Sequence, residues 1–157
     1  LVIGEGPGEE EDNQGLPFVG KAGQLLDKML AAISLSRSQN CYIANVVKCR
    51  PPHNRDPLPE EISACISFLG AQISLLKPSM ILLMGRVAAQ SVLRTSSGIN
   101  ALRGNFSMYN GIPVMPTYHP SALLRDERLK APAWQDLKAF RAKLLQLVPD
   151  YEKNFVK

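Results

Sequence analysis

The chain has 157 residues, 45% of them hydrophobic and 20% charged, and a formal net charge of +4. That size and balance suit one compact domain over residues 1–157 and exclude disorder, fibrous repeats and low-complexity tracts. No apolar run approaches the ~20 residues of a membrane helix and nothing resembles a secretory signal, so a cytoplasmic monomer is expected, with a charge surplus that permits a nucleic-acid partner without requiring one.

Leu1 to Ile3 lead as a strand into the loop Gly4-Glu5-Gly6-Pro7-Gly8. Leu1 is not an initiator residue and opens directly on this strand pattern, so further residues are expected upstream. After a polar run, Ala22, Leu25, Leu26, Met29, Leu30 and Ile33 fall at helical spacing. Tyr42 to Val47 has the β-branched and aromatic content of a second strand. The proline-rich stretch from Arg50 to Pro59 predicts a loop, with Pro59 suited to a first helical turn. Ile62, Cys65, Ile66, Leu69, Ile73 and Leu76 then form an apolar helical face that Pro78 closes. Met80 to Met84 is the continuous apolar run of a buried parallel strand. Val87 to Leu93 predicts a helix, Phe106 to Tyr109 and Val114 to Tyr118 predict a hairpin through Asn110-Gly111, and a last helix should span Ala133 to Leu147.

Strands alternating with helices predict an α/β fold: a three-layer sandwich whose central, mainly parallel sheet is flanked by helices. Ligands in such folds gather beyond the carboxyl ends of the strands. The Gly4 to Gly8 loop, Asn45 and the segment after Tyr118 should therefore share one rim.

Taken alone, each of these segments leaves two readings open. The glycine loop is neither a dinucleotide fingerprint nor a phosphate loop, and a tight turn explains it as well as a ligand cradle does. Asn45, inside an apolar strand, needs hydrogen-bond partners whether or not it binds anything. His119 is one of only two histidines, and most loop histidines are surface groups. Three cysteines, an odd number in a chain without an export signal, do not make a disulfide framework. They are core thiols or metal ligands.

Read together, three stretches resemble one family. Glu5-Gly6-Pro7-Gly8-Glu9-Glu10-Glu11-Asp12 with Gly15-Leu16-Pro17-Phe18-Val19-Gly20-Lys21-Ala22-Gly23, then Asn45-Val46-Val47-Lys48-Cys49-Arg50-Pro51-Pro52 with Asn54-Arg55 and Pro57, then His119-Pro120-Ser121-Ala122-Leu123-Leu124-Arg125, are similar to the motifs of family 4 (iron-sulfur) uracil-DNA glycosylases. They occur in the family's order along nearly the whole chain.

The resemblance implies a monofunctional enzyme that hydrolyses the N-glycosidic bond of deoxyuridine in single- or double-stranded DNA, in base-excision repair. It implies Phe18 as the stacking platform and Asn45 as the reader of the uracil edge, with Gly6 and Glu11 lining the base site and Glu11 excluding the thymine methyl. Glu5 and Asn54 would sit near the attacking water, and His119 would contact O2 of the departing base. Ser121, Arg125, Lys48 and Arg55 would meet the DNA backbone, and Leu123 or Leu124 would wedge into the stack. Cys49 and Cys65 match two of the four ligands of a 4Fe–4S cluster, the other two belonging to an upstream C-x-x-C, while Cys41 matches none and fits a small buried hydrophobe. A fragment of this extent would carry no cluster or a labile one. Two alternatives stay open: a uracil-DNA-binding relative with little turnover, and an α/β nucleotide-binding module without chemistry.

Overall fold

A computed structural model describes residues 1–156. Its centre is a five-stranded sheet of order β2-β1-β3-β5-β4, built from β1 (Val2–Gly4), β2 (Ile43–Asn45), β3 (Ile81–Met84), β4 (Ser107–Tyr109) and β5 (Ile112–Thr117). All neighbours run parallel except β4, which pairs antiparallel with β5. The turn between those two strands has φ of 47° at Asn110 and 81° at Gly111, the paired positive values of the hairpin turn that Asn-Gly favours.

Strand alternation divides the core. Val2, Ile43, Leu82 and Met115 are register partners and pack on one face with Leu26 and Leu30 of α2 (Lys21–Ala31) and Leu137 and Phe140 of α7 (Lys130–Leu147). Ile3, Ala44, Leu83 and Val114 face the other way, against Leu69 and Ile73 of α3 (Pro59–Leu76) and Ala88, Ala89 and Val92 of α4 (Arg86–Leu93). This is the three-layer sandwich that the alternating pattern predicted. Pro59 occupies the first turn of α3, and Glu61 accepts the N–H of Leu58 (2.8 Å) to close that helix end.

Three short helices carry too little apolar periodicity to be read in sequence: α1 (Glu9–Gln14), α5 (Ile99–Leu102) and α6 (Pro120–Arg125). The acidic run from Glu9 forms α1, on which Glu9 and Glu10 are exposed. Of the predicted apolar stripe of α3, only Leu69 and Ile73 are buried, and Leu76 is 40% exposed. Among the described residues no helix is long and apolar enough to cross a membrane.

Candidate active site

The carboxyl ends of β1, β3 and β5 open on a cleft of about 630 Å³, lined among others by Glu5, Gly6, Glu11, Phe18, Asn54, Arg55, Arg86, His119, Ser121 and Arg125. Asn45, which ends β2, lines an adjoining hollow that shares Pro7 and Glu11 with the cleft. Register brings its floor together, since Gly4 ends β1 directly opposite Asn45 at the end of β2. A Cβ on Gly4 would run into the Phe18 ring and come within 2.7 Å of Asn45 Oδ1. Only glycine allows the aromatic edge and the amide to meet there.

Asn45 is 6% exposed, and its Oδ1 has no hydrogen-bond partner among the described residues. A buried carbonyl oxygen without a donor costs about 1–3 kcal/mol, so this amide is arranged at the expense of stability. Its backbone is pinned from outside: the Lys48 ammonium donates to Asn45 O (2.6 Å) and to Gln72 Oε1 (2.6 Å). Lys48 therefore braces the backbone at Asn45 rather than reaching freely outward.

Phe18 is buried and stacks on His119, ring centroids 5.4 Å apart and planes 28° from parallel. His119 precedes α6 and caps it: the Ser121 N–H donates to Nδ1 (3.1 Å), with Ser121 Oγ 2.7 Å from the same atom. Because a backbone N–H can only donate, Nδ1 is an acceptor and the neutral ring carries its hydrogen on Nε2. Burial lowers the His119 pKa to about 4, assisted by the Arg125 charge and opposed by Glu11. At neutral pH the ring is uncharged. The sequence pointed Ser121 at DNA; its hydroxyl and N–H are spent on orienting His119.

Glu5 is half-buried in the cleft. Burial raises its pKa, Asp56 raises it further and Arg86 pulls it back. Asp56 and Arg86, which form an ion pair with each other, were missed in sequence: Asp56 sits unremarked between the motif residues Arg55 and Pro57, and Arg86 falls in none of the quoted motifs. Asn54 lies on the cleft wall in a short 3₁₀ turn, with φ of 55° after a φ of 54° at His53. Arg50 Nε donates to Asn54 Oδ1 (2.8 Å), fixing the amide's orientation. Arg55 lines the cleft but is engaged by Glu61 through two bonds (2.9 and 2.6 Å). Arg125 is exposed on the rim and has no ion-pair partner among the described residues. Next to it Leu124 is 49% exposed while Leu123 is buried.

Glu11 faces the cleft, and its Oε1 accepts the N–H groups of Val19 and Gly20 (3.2 Å each). The arrangement suits a flat ring bearing alternating donors and acceptors: the Phe18 ring, the Asn45 amide whose Oδ1 is unpartnered among the described residues, the neutral His119 Nε2–H donor and the Glu5 carboxylate of raised basicity.

Cys49 is exposed and Cys65 half-buried; burial lowers the pKa of the Lys48 ammonium, opposed by the nearby Cys65. Two thiolates are half of a four-cysteine set, and among the described residues no group of three or more His, Cys, Asp or Glu could hold a metal ion. The described residues alone do not make a cluster site. Cys41 packs against the α2–α7 core, where burial raises its thiol pKa.

The family model of the uracil DNA glycosylase superfamily matches residues 1–138. The chain is 48% identical over 128 residues to the type-4 uracil-DNA glycosylase of Thermotoga maritima, covering 80% of this chain and 66% of that protein. It is 40% identical over 149 residues to that of Sulfurisphaera tokodaii (90% of this chain, 68% of that protein). It is also 40% identical over 146 residues to that of Archaeoglobus fulgidus (88% and 73%). The chain thus spans about two thirds to three quarters of these relatives.

Proposed function

Because the chain belongs to the uracil DNA glycosylase superfamily and to its type-4 branch, we propose that it hydrolyses the N-glycosidic bond of deoxyuridine in DNA, releasing uracil in base-excision repair. The observation that carries this reading is the buried Asn45 amide, whose Oδ1 has no partner among the described residues, beside the Phe18 ring.

A glycosylase must extrude its base from the stack and read it along its hydrogen-bonding edge. In the proposed complex uracil lies on Phe18, and the Asn45 amide accepts from N3–H and donates to O4. Cytosine presents the reverse pattern on that edge, and with the amide held in this orientation both groups of Asn45 are left unpaired. The His119 Nε2–H donates to O2. Water attacks C1′ while the C1′–N1 bond breaks and its electron pair passes into the pyrimidine, so negative charge builds on O2 under the one donor aimed there. Glu5, half-buried and of raised basicity, accepts the proton that the water loses, with Asn54 positioning the water. Gly6 and Glu11 close the base site from the β1 side. No amine nucleophile belongs to this set, so the product is an abasic site with an intact strand.

Arg125 supplies the phosphate contact and Leu124 the wedge. Cys49 and Cys65 supply two of four thiolates of a 4Fe–4S cluster in the full-length protein, the remaining pair coming from residues outside this sequence; no step of the reaction runs through the cluster. Iron and sulfide analysis of the full-length protein, with Cys49→Ser and Cys65→Ser beside it, tests that assignment. The cytoplasmic compartment belongs to the same proposal.

The test of the activity is release of labelled uracil from an oligonucleotide carrying one deoxyuridine, against matched thymidine and deoxycytidine controls. Catalytic release with uracil alone supports the reading. Stoichiometric binding without release assigns the protein to the low-turnover class instead.

A further inference from the structure

Phe18 has φ of 53°, a left-handed conformation that bulky side chains avoid and that persists only where the surroundings impose it. Three groups impose it here. The Phe18 carbonyl presses on Gly23 of α2, where any Cβ would collide with it. The Glu11 carboxylate receives the next two N–H groups, Val19 and Gly20. Arg37 takes the carbonyls on the other side: Nη1 donates to Pro17 O (2.7 Å), Nη2 to Phe18 O (2.6 Å), and Nε to Asp27 Oδ1 (2.9 Å).

Resting on the glycosylase reading, we propose that Arg37, oriented by Asp27, is a positioning residue that holds Phe18 in the conformation that makes it a base platform. Arg37 is absent from the lining of the cleft and acts only through the backbone of residues 17 and 18. The planar fork suits this task because its donors sit on three nitrogens of one rigid plane and reach two successive carbonyls and one carboxylate at fixed geometry, whereas an ammonium offers its three donors from a single point on a flexible stem. Without the fork, the strained φ relaxes toward the ordinary negative region and the ring swings off the floor made by Gly4 and Asn45. A platform stacks on the base before and during bond breaking alike, so its loss weakens binding and leaves the chemical step largely untouched.

The experiment compares the parent with Arg37→Ala, Arg37→Lys, Phe18→Leu and the Arg37→Ala/Phe18→Leu double variant. It reads the inhibition constant of free uracil, the half-saturating concentration of uracil-containing DNA and the saturating single-turnover rate. Arg37→Ala should raise the first two about tenfold, the size of a partly lost stacking contact, and leave the third within about threefold. Arg37→Lys should recover little of the loss. In the Phe18→Leu background the Arg37→Ala effect should vanish, because the clamp has no platform left to hold. Unchanged uracil inhibition in Arg37→Ala overturns the proposal, and so does an equal loss with and without Phe18. Should Arg37→Ala not fold, Asp27→Asn loosens the fork while retaining it, and a change in the same direction, smaller in size, is required. A parent that releases no uracil overturns the glycosylase reading itself, whereas a parent that turns over beside an Arg37→Ala protein of unchanged uracil affinity overturns the clamp alone.

Discussion

Replacing Asn45 by leucine should make the protein more stable and unable to release uracil. Leucine keeps the branched outline of asparagine and removes both polar atoms. The buried Oδ1 has no partner among the described residues, and such an atom costs about 1–3 kcal/mol. Against that gain stands the crowding of two methyl groups beside Phe18 and Gly4, at least about 1 kcal/mol on the scale of overpacked cores. The net expectation is about 1 kcal/mol of added stability, a rise in Tm of about 2–4 °C for a domain of this size. Urea and thermal unfolding measure it, with and without free uracil. At a hundred times its dissociation constant uracil should stabilise the parent by about 2.7 kcal/mol and Asn45→Leu not at all. A variant destabilised by several kcal/mol, or one still stabilised by uracil, would refute the assignment of Asn45 to an unfilled reading position.

Three further outcomes follow from the charges in the cleft. Burial and Asp56 raise the Glu5 pKa above 4.5, so the single-turnover rate should fall on acidification in a limb lying above that value; Asp56→Asn should move the limb to lower pH, Arg86→Gln to higher pH, and Glu5→Gln should remove it along with most of the rate. His119 stays neutral when folded down to about pH 4 but takes a proton near 6.5 when unfolded, so the unfolded state binds more protons between those values and stability drops as pH falls through that window. The loss should reach about 3 kcal/mol at ~1.4 kcal/mol per pH unit, and urea titrations of His119→Gln should show a flatter profile there. Arg125→Ala should lower the salt dependence of DNA binding by about one phosphate equivalent without altering preference for uracil over other bases, and an unchanged slope in log–log salt titrations would remove Arg125 from the interface.

The sheet was legible because its strands are short apolar runs set between turn residues, and Asn110-Gly111 announced the one antiparallel pair. The helices α1, α5 and α6 were not, because helices of four to six residues complete too few turns to print a stripe and are held by context. Asn45, Phe18, Glu5 and His119 were singled out through motif resemblance, and topology explains why they lie near one another: Asn45 ends β2, Glu5 follows β1, His119 follows β5 at the same edge, and the loop between α1 and α2 brings Phe18 to them. The supporting contacts were hidden. Lys48 looks like a phosphate ligand in sequence, yet its ammonium is folded back on the Asn45 carbonyl and Gln72. Ser121 serves His119, and Arg55 is paired with Glu61. Arg37 and Arg86 gave no signal, because a side chain that grips backbone carbonyls, or one that pairs across 30 positions, leaves no local pattern.

In the proposed reaction one neutral imidazole, that of His119, faces the departing base and carries much of the catalysis. Losing such a preorganised donor costs about 10²–10³ in rate. His119→Ala should fold, bind uracil-containing DNA with near-parental affinity, and release uracil about 10²–10³ more slowly in single-turnover experiments at saturating enzyme; a rate within a few fold of the parent would contradict the account.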